Sequence, residues 1–254
     1  MSDLLRALDI DGGIVCAVGA GGKKTTLYRI ADAWAGTYAL TATVFTAAPP
    51  RRLWDERILE GDDTLREAVT AACGQRRLAY ARSSDKPGRV GGVPPALIED
   101  LHRAAGRELT LVKADGARMR GVKAPRQGEP IVPPGADLVL HLSSAAVLGR
   151  PLDERVAHRP ELAAEVMGLA VGDPIEPAHL AALLVSPRGA RQGSHGIRLV
   201  PIINQVDDRD RLSAAREAAR EAIARGGVER VVLASMRAET PVVEVVRRDG
   251  LGAD

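Results

Sequence analysis

The chain has 254 residues, 35 of them basic and 33 acidic, for a formal net charge of +2. That balance argues against a nucleic-acid or membrane surface, and 2% aromatic residues argue against a base-stacking platform for single strands. With 45% apolar and 27% charged residues, the composition is that of a globular chain whose core is built from Val, Leu, Ile and Ala.

The first residues, MSDLLRALDIDGG, contain no apolar leader core, and no run of about 18 apolar residues follows, so the cytoplasm is the expected location. "GIVCAVG", residues 13–19, predicts a short buried strand. Cys16 within it is expected to be a buried thiol, and it forms no CxxC pair with Cys73. Helical spacing of Leu27, Ile30, Ala31 and Trp34 predicts a helix over 24–35, and "TYALTAT" a strand over 37–43. Further helices are expected at 64–73, 95–105 and 209–227, and further strands at 77–82, 108–116, 136–142, 197–207 and 229–235. Glu221 and Arg225 mark a solvated face of the last helix, and Gly226 suits its end. Residues 150–190 carry Pro at 151, 160, 174, 177 and 187 and read as a small helical insertion. The alternation implies an α/β fold, a mostly parallel sheet with helices on both faces.

The stretch "VGAGGKKTT", residues 18–26, joins the first strand to the first long helix. Glycines there allow a tight turn and close backbone approach. Successive N–H groups and the helix dipole then favour an anion, so Gly19, Ala20, Gly21, Gly22, Lys23, Lys24, Thr25 and Thr26 are candidate nucleotide-binding residues. The phosphate-loop pattern G-x-x-x-x-G-K-[ST] is met with one departure. If Lys24-Thr25 is the Lys-Thr pair, Lys23 occupies a glycine position; if Gly22-Lys23 is the Gly-Lys pair, the hydroxyl comes one residue late. Metal ligation constrains the hydroxyl more tightly, which favours Lys24 as the phosphate lysine and Thr25 as a Mg²⁺ ligand. The alternative is a helix-initiating turn with two solvated lysines. The expectation is one P-loop NTPase-like domain over residues 1–254 that takes Mg²⁺ and GTP or ATP.

Such a site needs a carboxylate at the end of a neighbouring strand, and "LTLVKADG" offers Asp115 as a metal ligand and catalytic group. Thr41, Thr43 and Thr46 stand where a switch segment would lie, although threonines are common in strands. "INQVD" places Asn204 and Asp207 where GTPases carry N-K-x-D, with Gln205 in place of the lysine and Ser235 after the next strand. There Asp207 would accept from guanine N1 and N2, which favours GTP over ATP. The alternative is that Asp207 or Asp208 only caps the next helix. His102, His141, His158, His179 and His195 show no metal-ligand spacing.

Together, "VGAGGKKTTL", "TATVFTAAP", "ADGARMRGVKAP", "GEPIVP", "VAHRPE" and "INQVD" resemble, in order and over nearly the whole length, the YqeC family of accessory proteins of selenium-dependent molybdenum hydroxylases. The resemblance implies a role in maturing or delivering a selenium- or molybdenum-containing cofactor, with a molybdenum hydroxylase or cofactor-synthesis protein as partner. Two departures stand out. The family carries one lysine in the loop, and an acid where this chain has Lys113. Arg118, Arg120, Lys123, Glu129, His158 and Arg159 lie in the family-like polar segments; with Thr43 they are candidates for a substrate cleft, Arg159 as a stabiliser of the γ-phosphate in cis. For any one of them the alternative is an ordinary surface ion pair. Three functions are therefore open: an NTPase serving cofactor assembly, a carrier or chaperone that uses the same cradle without chemistry, and an ATP-dependent ligase or kinase.

Overall fold

The structure is a computed structural model that describes residues 2–248. Seven helices occur among them: α1 (Asp3–Leu8), α2 (Lys23–Ala33), α3 (Asp62–Ala71), α4 (Pro95–Ala104), α5 (Pro160–Met167), α6 (Pro177–Val185) and α7 (Arg209–Arg225). The strands are β1 (Gly13–Gly19), β2 (Tyr38–Ala42), β3 (Thr46–Ala47), β4 (Glu56–Glu60), β5 (Arg77–Arg82), β6 (Arg89–Val90), β7 (Leu109–Lys113), β8 (Val122–Lys123), β9 (Leu138–Ser144), β10 (Ala157–His158), β11 (Arg198–Asn204), β12 (Arg230–Ala234) and β13 (Val242–Arg247). Nine strands form one sheet in the order β13-β12-β11-β9-β1-β7-β2-β5-β4; β3 with β6 and β8 with β10 form two small ladders. Every neighbour in the large sheet is parallel except β12 and β13. The expected α/β fold with a mostly parallel sheet is therefore found.

The apolar runs are continuous because both faces of the sheet are covered. Along β1, Val15 and Ala17 pack with α1 and α2, while Ile14, Cys16 and Val18 pack with α3 and α4. Cys16 is fully buried, and burial with nearby Asp137 pushes its thiol far above the usual range. Ile203, Val231 and Leu233 continue the second face beneath α7. Residues 150–190 hold α5 and α6; α6 packs on α7, and α5 packs on α6, within that cluster. Four buried alanines of α7, at 215, 218, 219 and 222, permit the close approach.

Besides the two-residue strands β3, β6, β8 and β10, three elements have no clear sequence signal. Helix α1 is six residues, too short to display a period, and is started by the Ser2 hydroxyl accepting from Leu5 N. Strands β4 and β13 form the two edges of the sheet, where charge and solvent interrupt the apolar pattern.

The topology fixes where a site can lie. From β1 the chain winds out through β2 to β4 and β5 and returns as β7 beside β1. It then crosses to β9 on the other side and continues outward through β11. The strand order thus reverses at β1, and such sheets open a crevice at the carboxyl ends of the strands flanking the reversal. Gly19, Asp115, Ser144 and Asn204 stand at the ends of β1, β7, β9 and β11 respectively.

Candidate functional site

The turn from β1 to α2 runs through positive φ at Gly19 (82°), Gly21 (80°) and Gly22 (132°). A Cβ on Gly21 would stand 2.8 Å from Ser144 N, and one on Gly22 would strike the Asn204 amide. Space as well as φ therefore requires glycine at both positions. Three amides of the turn are already used: Gly19 N donates to Asp115 Oδ2 (3.0 Å), Ala20 N to Leu142 O (2.8 Å) and Gly21 N to Arg120 O (3.0 Å). The next four, of Gly22, Lys23, Lys24 and Thr25, have no acceptor among the described residues. They lie at the positive end of an 11-residue helix, a geometry suited to an anion.

The buried face of α2 contains Lys23, Thr26, Leu27, Ile30 and Ala31, the 3-4-7-8 spacing of a core-facing stripe. Full burial of Leu27 and Ile30 contributes about 1.5–3 kcal/mol each. That stripe carries Lys23 inward. Its ammonium forms an ion pair with Asp115 Oδ1 at 2.8 Å and donates to Gly19 O, crossing the inside of the turn. Asp115 Oδ2 also accepts from Lys123 Nζ at 2.8 Å, so one carboxylate lies between two buried ammonium groups. Lys123 extends the chain of charges to Glu129 (2.7 Å), whose two oxygens accept from the Arg159 fork at 2.9 Å each, with Arg126 at 3.0 Å.

Burial pushes the Asp115 carboxyl up, but the two ammonium groups outweigh it and hold it below the usual range. Burial lowers the Lys23 ammonium, and Asp115 only partly restores it. Glu129 shows the same contest: burial raises it, while hydrogen bonds from Arg159 and Lys123 bring it down to about 2. His141, fully buried beside Gly19, is lowered to about 4 by burial, and neither ring nitrogen has a hydrogen-bond partner.

Lys23, and not Lys24, faces Asp115; Lys24 is exposed. In the register that this imposes, Lys24 stands immediately after the inward lysine, where a metal-binding hydroxyl is needed, and Thr25 comes one residue late. Asp115 Oδ2 accepts from Gly19 N and Lys123, while Oδ1 meets Lys23 in an ion pair without a hydrogen bond. In this register the hydroxyl that would face a Mg²⁺ beside Asp115 is displaced by one residue. Among the described residues no three His, Cys, Asp or Glu side chains gather for a metal. Thr26 is buried and its hydroxyl donates to Gly22 O (3.2 Å).

Of the proposed cleft, Lys123, Glu129 and Arg159 form the charge chain just described. His158 pairs with Lys123 across β10 and β8, lowered to about 4 by burial and then by Arg159. The Arg159 guanidinium is occupied by Glu129 and is not free for a phosphate as expected. Thr43 is buried and donates to Ile131 O (2.7 Å), so it does not act as a free switch hydroxyl. Arg118 is exposed in a left-handed turn, and Arg120 offers its carbonyl, not its side chain, to the loop.

At the other end of the crevice, Asn204 Nδ2 donates to Gly21 O (2.7 Å), and its Oδ1 accepts from Met236 N (3.0 Å). It fastens the glycine turn to the segment after β12. Asp207 accepts from the Ser235 hydroxyl (2.6 Å) and sits 3.3 Å from Arg211, half-exposed at the rim. Asp208, not Asp207, caps α7 through Arg211 N (2.8 Å). Gln205 takes a left-handed conformation and accepts from the Ser144 hydroxyl.

Sequence reasoning missed Lys113 as a cation of the site. It lies at the end of β7, its ammonium donates to Asp115 O (2.6 Å), and burial followed by Lys23 lowers it to about 8. Its place two residues before Asp115, on the alternate that faces α2 with Leu109 and Leu111, was the available signal. His141 gave no signal, because a lone histidine in an apolar strand is most often a core residue.

No helix among the described residues is long and apolar enough to cross a membrane. The family model described as YqeC protein matches residues 15–161, which span the glycine turn, Asp115, Lys123, Glu129 and Arg159. The chain is also similar to the uncharacterized protein YqeC of Escherichia coli (strain K12), 26% identical over 209 residues that cover 80% of each chain. The chain belongs to the YqeC family.

Proposed function

We propose that the chain binds a nucleoside triphosphate, GTP in preference to ATP, at the turn between β1 and α2, and that it serves the maturation or delivery of a selenium- or molybdenum-containing hydroxylase cofactor. One observation carries the nucleotide reading: four unaccepted amides, of Gly22, Lys23, Lys24 and Thr25, open the helix beside a buried lysine held by a carboxylate. A phosphate arriving there competes with Asp115 for Lys23. Lys123 and Gly19 N remain on Asp115, so the carboxylate keeps its charge when the lysine leaves. Asn204 holds the turn in shape, and the half-exposed Asp207 supplies an acceptor for guanine N1 and N2.

Lys113 supports a second reading, a nucleotide carrier without turnover, because it places a cation near Asp115 where a base would be needed to activate water. Titration of the purified chain with GTP and ATP, with and without Mg²⁺, together with phosphate release, tests both. Saturable GTP binding tighter than ATP is expected, with slow release above the protein-free rate. Binding without release selects the carrier. No saturable binding of either nucleotide removes both readings, and an equal affinity for the two, unchanged in Asp207→Ala, removes guanine recognition.

A further inference from the structure

We infer that a half-open apolar pocket beneath α2, on the β2 side of the glycine turn, takes the short apolar end of a small organic anion whose charged group lies at Lys24 and Lys113. The pocket arises from residue size. Alternate residues of β2 and β5 face α2, and three of them, Ala42, Ala79 and Ala81, are alanines on adjacent strands. Leu27 and Tyr28 of α2 close over this floor without filling it, leaving a free volume of about 40 Å³. By the same measure roughly 10–15 Å³ admits one water, so the space suits a short alkyl group or part of a ring. The exposed lining is almost entirely carbon, so covering it with an apolar group is favourable.

The rim supplies the charge. Lys24 and Lys113 both line the pocket, and neither is paired with a carboxylate among the described residues. Lys113 spends one donor on Asp115 O and keeps two. A partly buried ammonium without a counter-ion is costly, and an anion at the rim relieves that cost. A neutral apolar molecule fills the pocket but leaves Lys113 as it is, whereas an inorganic anion relieves Lys113 but leaves the pocket empty. The ligand that answers both is a carboxylate or phosphate with a short apolar tail. Binding to this site does not require nucleotide. Its place beside Lys24, in the first turn of α2, is where an acceptor for a phosphoryl group would sit if the nucleotide reading holds.

The test uses the full chain and three probes, acetate, butyrate and butanol, followed by NMR titration without nucleotide. Butyrate is expected to bind about tenfold tighter than acetate, the increment of two buried methylenes, and tighter than butanol. Lys113→Met should weaken butyrate at least fivefold. Ala47→Leu, which fills the pocket from its half-buried roof, should reduce butyrate to the level of acetate. Butyrate affinity should also fall as pH rises through about 8, where Lys113 loses its proton. Equal affinity for acetate and butyrate, or butyrate binding unchanged in Lys113→Met, overturns the inference. GTP titration of the same samples separates the two claims: butyrate bound without GTP binding defeats only the nucleotide reading, and the reverse defeats only this one.

Discussion

The two flanks of the glycine turn are built on opposite principles. On one, Lys23, Asp115, Lys123, Glu129 and Arg159 form a chain in which each charge meets an opposite charge within 2.9 Å. On the other, Lys24 and Lys113 border an apolar pocket with no carboxylate partner among the described residues. The paired flank has its charges matched, so it holds the turn and the 115–130 segment together. The unpaired flank is left incomplete by the protein's own residues. Satisfied charge marks support, and unsatisfied charge beside apolar space is the feature on which the proposed ligand site rests.

The largest expected effect breaks the paired flank at its centre. Asp115→Ala leaves two buried ammonium groups facing each other and should cost about 3–5 kcal/mol of stability in urea unfolding. On the opposite flank, Lys113→Met removes an uncompensated cation and should leave the urea midpoint unchanged or raised. Comparable losses from both would erase the distinction.

Acid should act next. His141 is lowered from 6.5 to about 4 in the folded chain, so its neutral form is the one that folding favours. The corresponding stability is present above pH 6.5 and is lost as pH falls toward 4, on the order of 3 kcal/mol. Below that, Glu129, lowered from 4.5 to about 2, adds a further loss between those values. Urea midpoints measured from pH 8 to 4 should decline, and His141→Leu should reduce the decline between 6.5 and 4, the remainder coming from the more exposed His158, which is lowered over the same range. A slope unaltered by the substitution would place its origin elsewhere.

Smaller effects refine the picture. Arg159→Lys replaces a two-bond fork on Glu129 by a single point contact and should cost about 1–2 kcal/mol. Asp207→Ala sits at the exposed rim, so stability should change by less than about 0.5 kcal/mol while the preference for GTP over ATP falls.

Much of this architecture is legible in the residues. The strand 13–19 is found at those limits because a parallel strand covered on both faces must be apolar throughout. The identity of the inward lysine was also legible, but in a different signal. Motif spacing favours Lys24, whereas the helix period does not: Lys23 lies four residues before Leu27 and seven before Ile30, on the buried stripe. A helix presents its first turn by its own periodicity, and a metal-ligand pattern cannot rotate it. The long-range partners were not legible. Lys123 returns to Asp115 only because residues 116–121 fold back through left-handed turns at Arg118 and Met119. Glu129 meets Arg159 across 30 residues of chain. The pocket had no motif, since it is a deficit of volume shared by strands and a helix that are distant in sequence.

The most direct measurement compares Lys23→Met with Lys24→Met in GTP titration, with circular dichroism to confirm that both fold. Asp115 retains Lys123 in the first variant, so its charge keeps a partner. A tenfold or greater loss of affinity is expected for Lys23→Met and less than threefold for Lys24→Met. Equal losses, or a larger loss for Lys24→Met, would contradict the assignment of the buried lysine as the group that grips the phosphate.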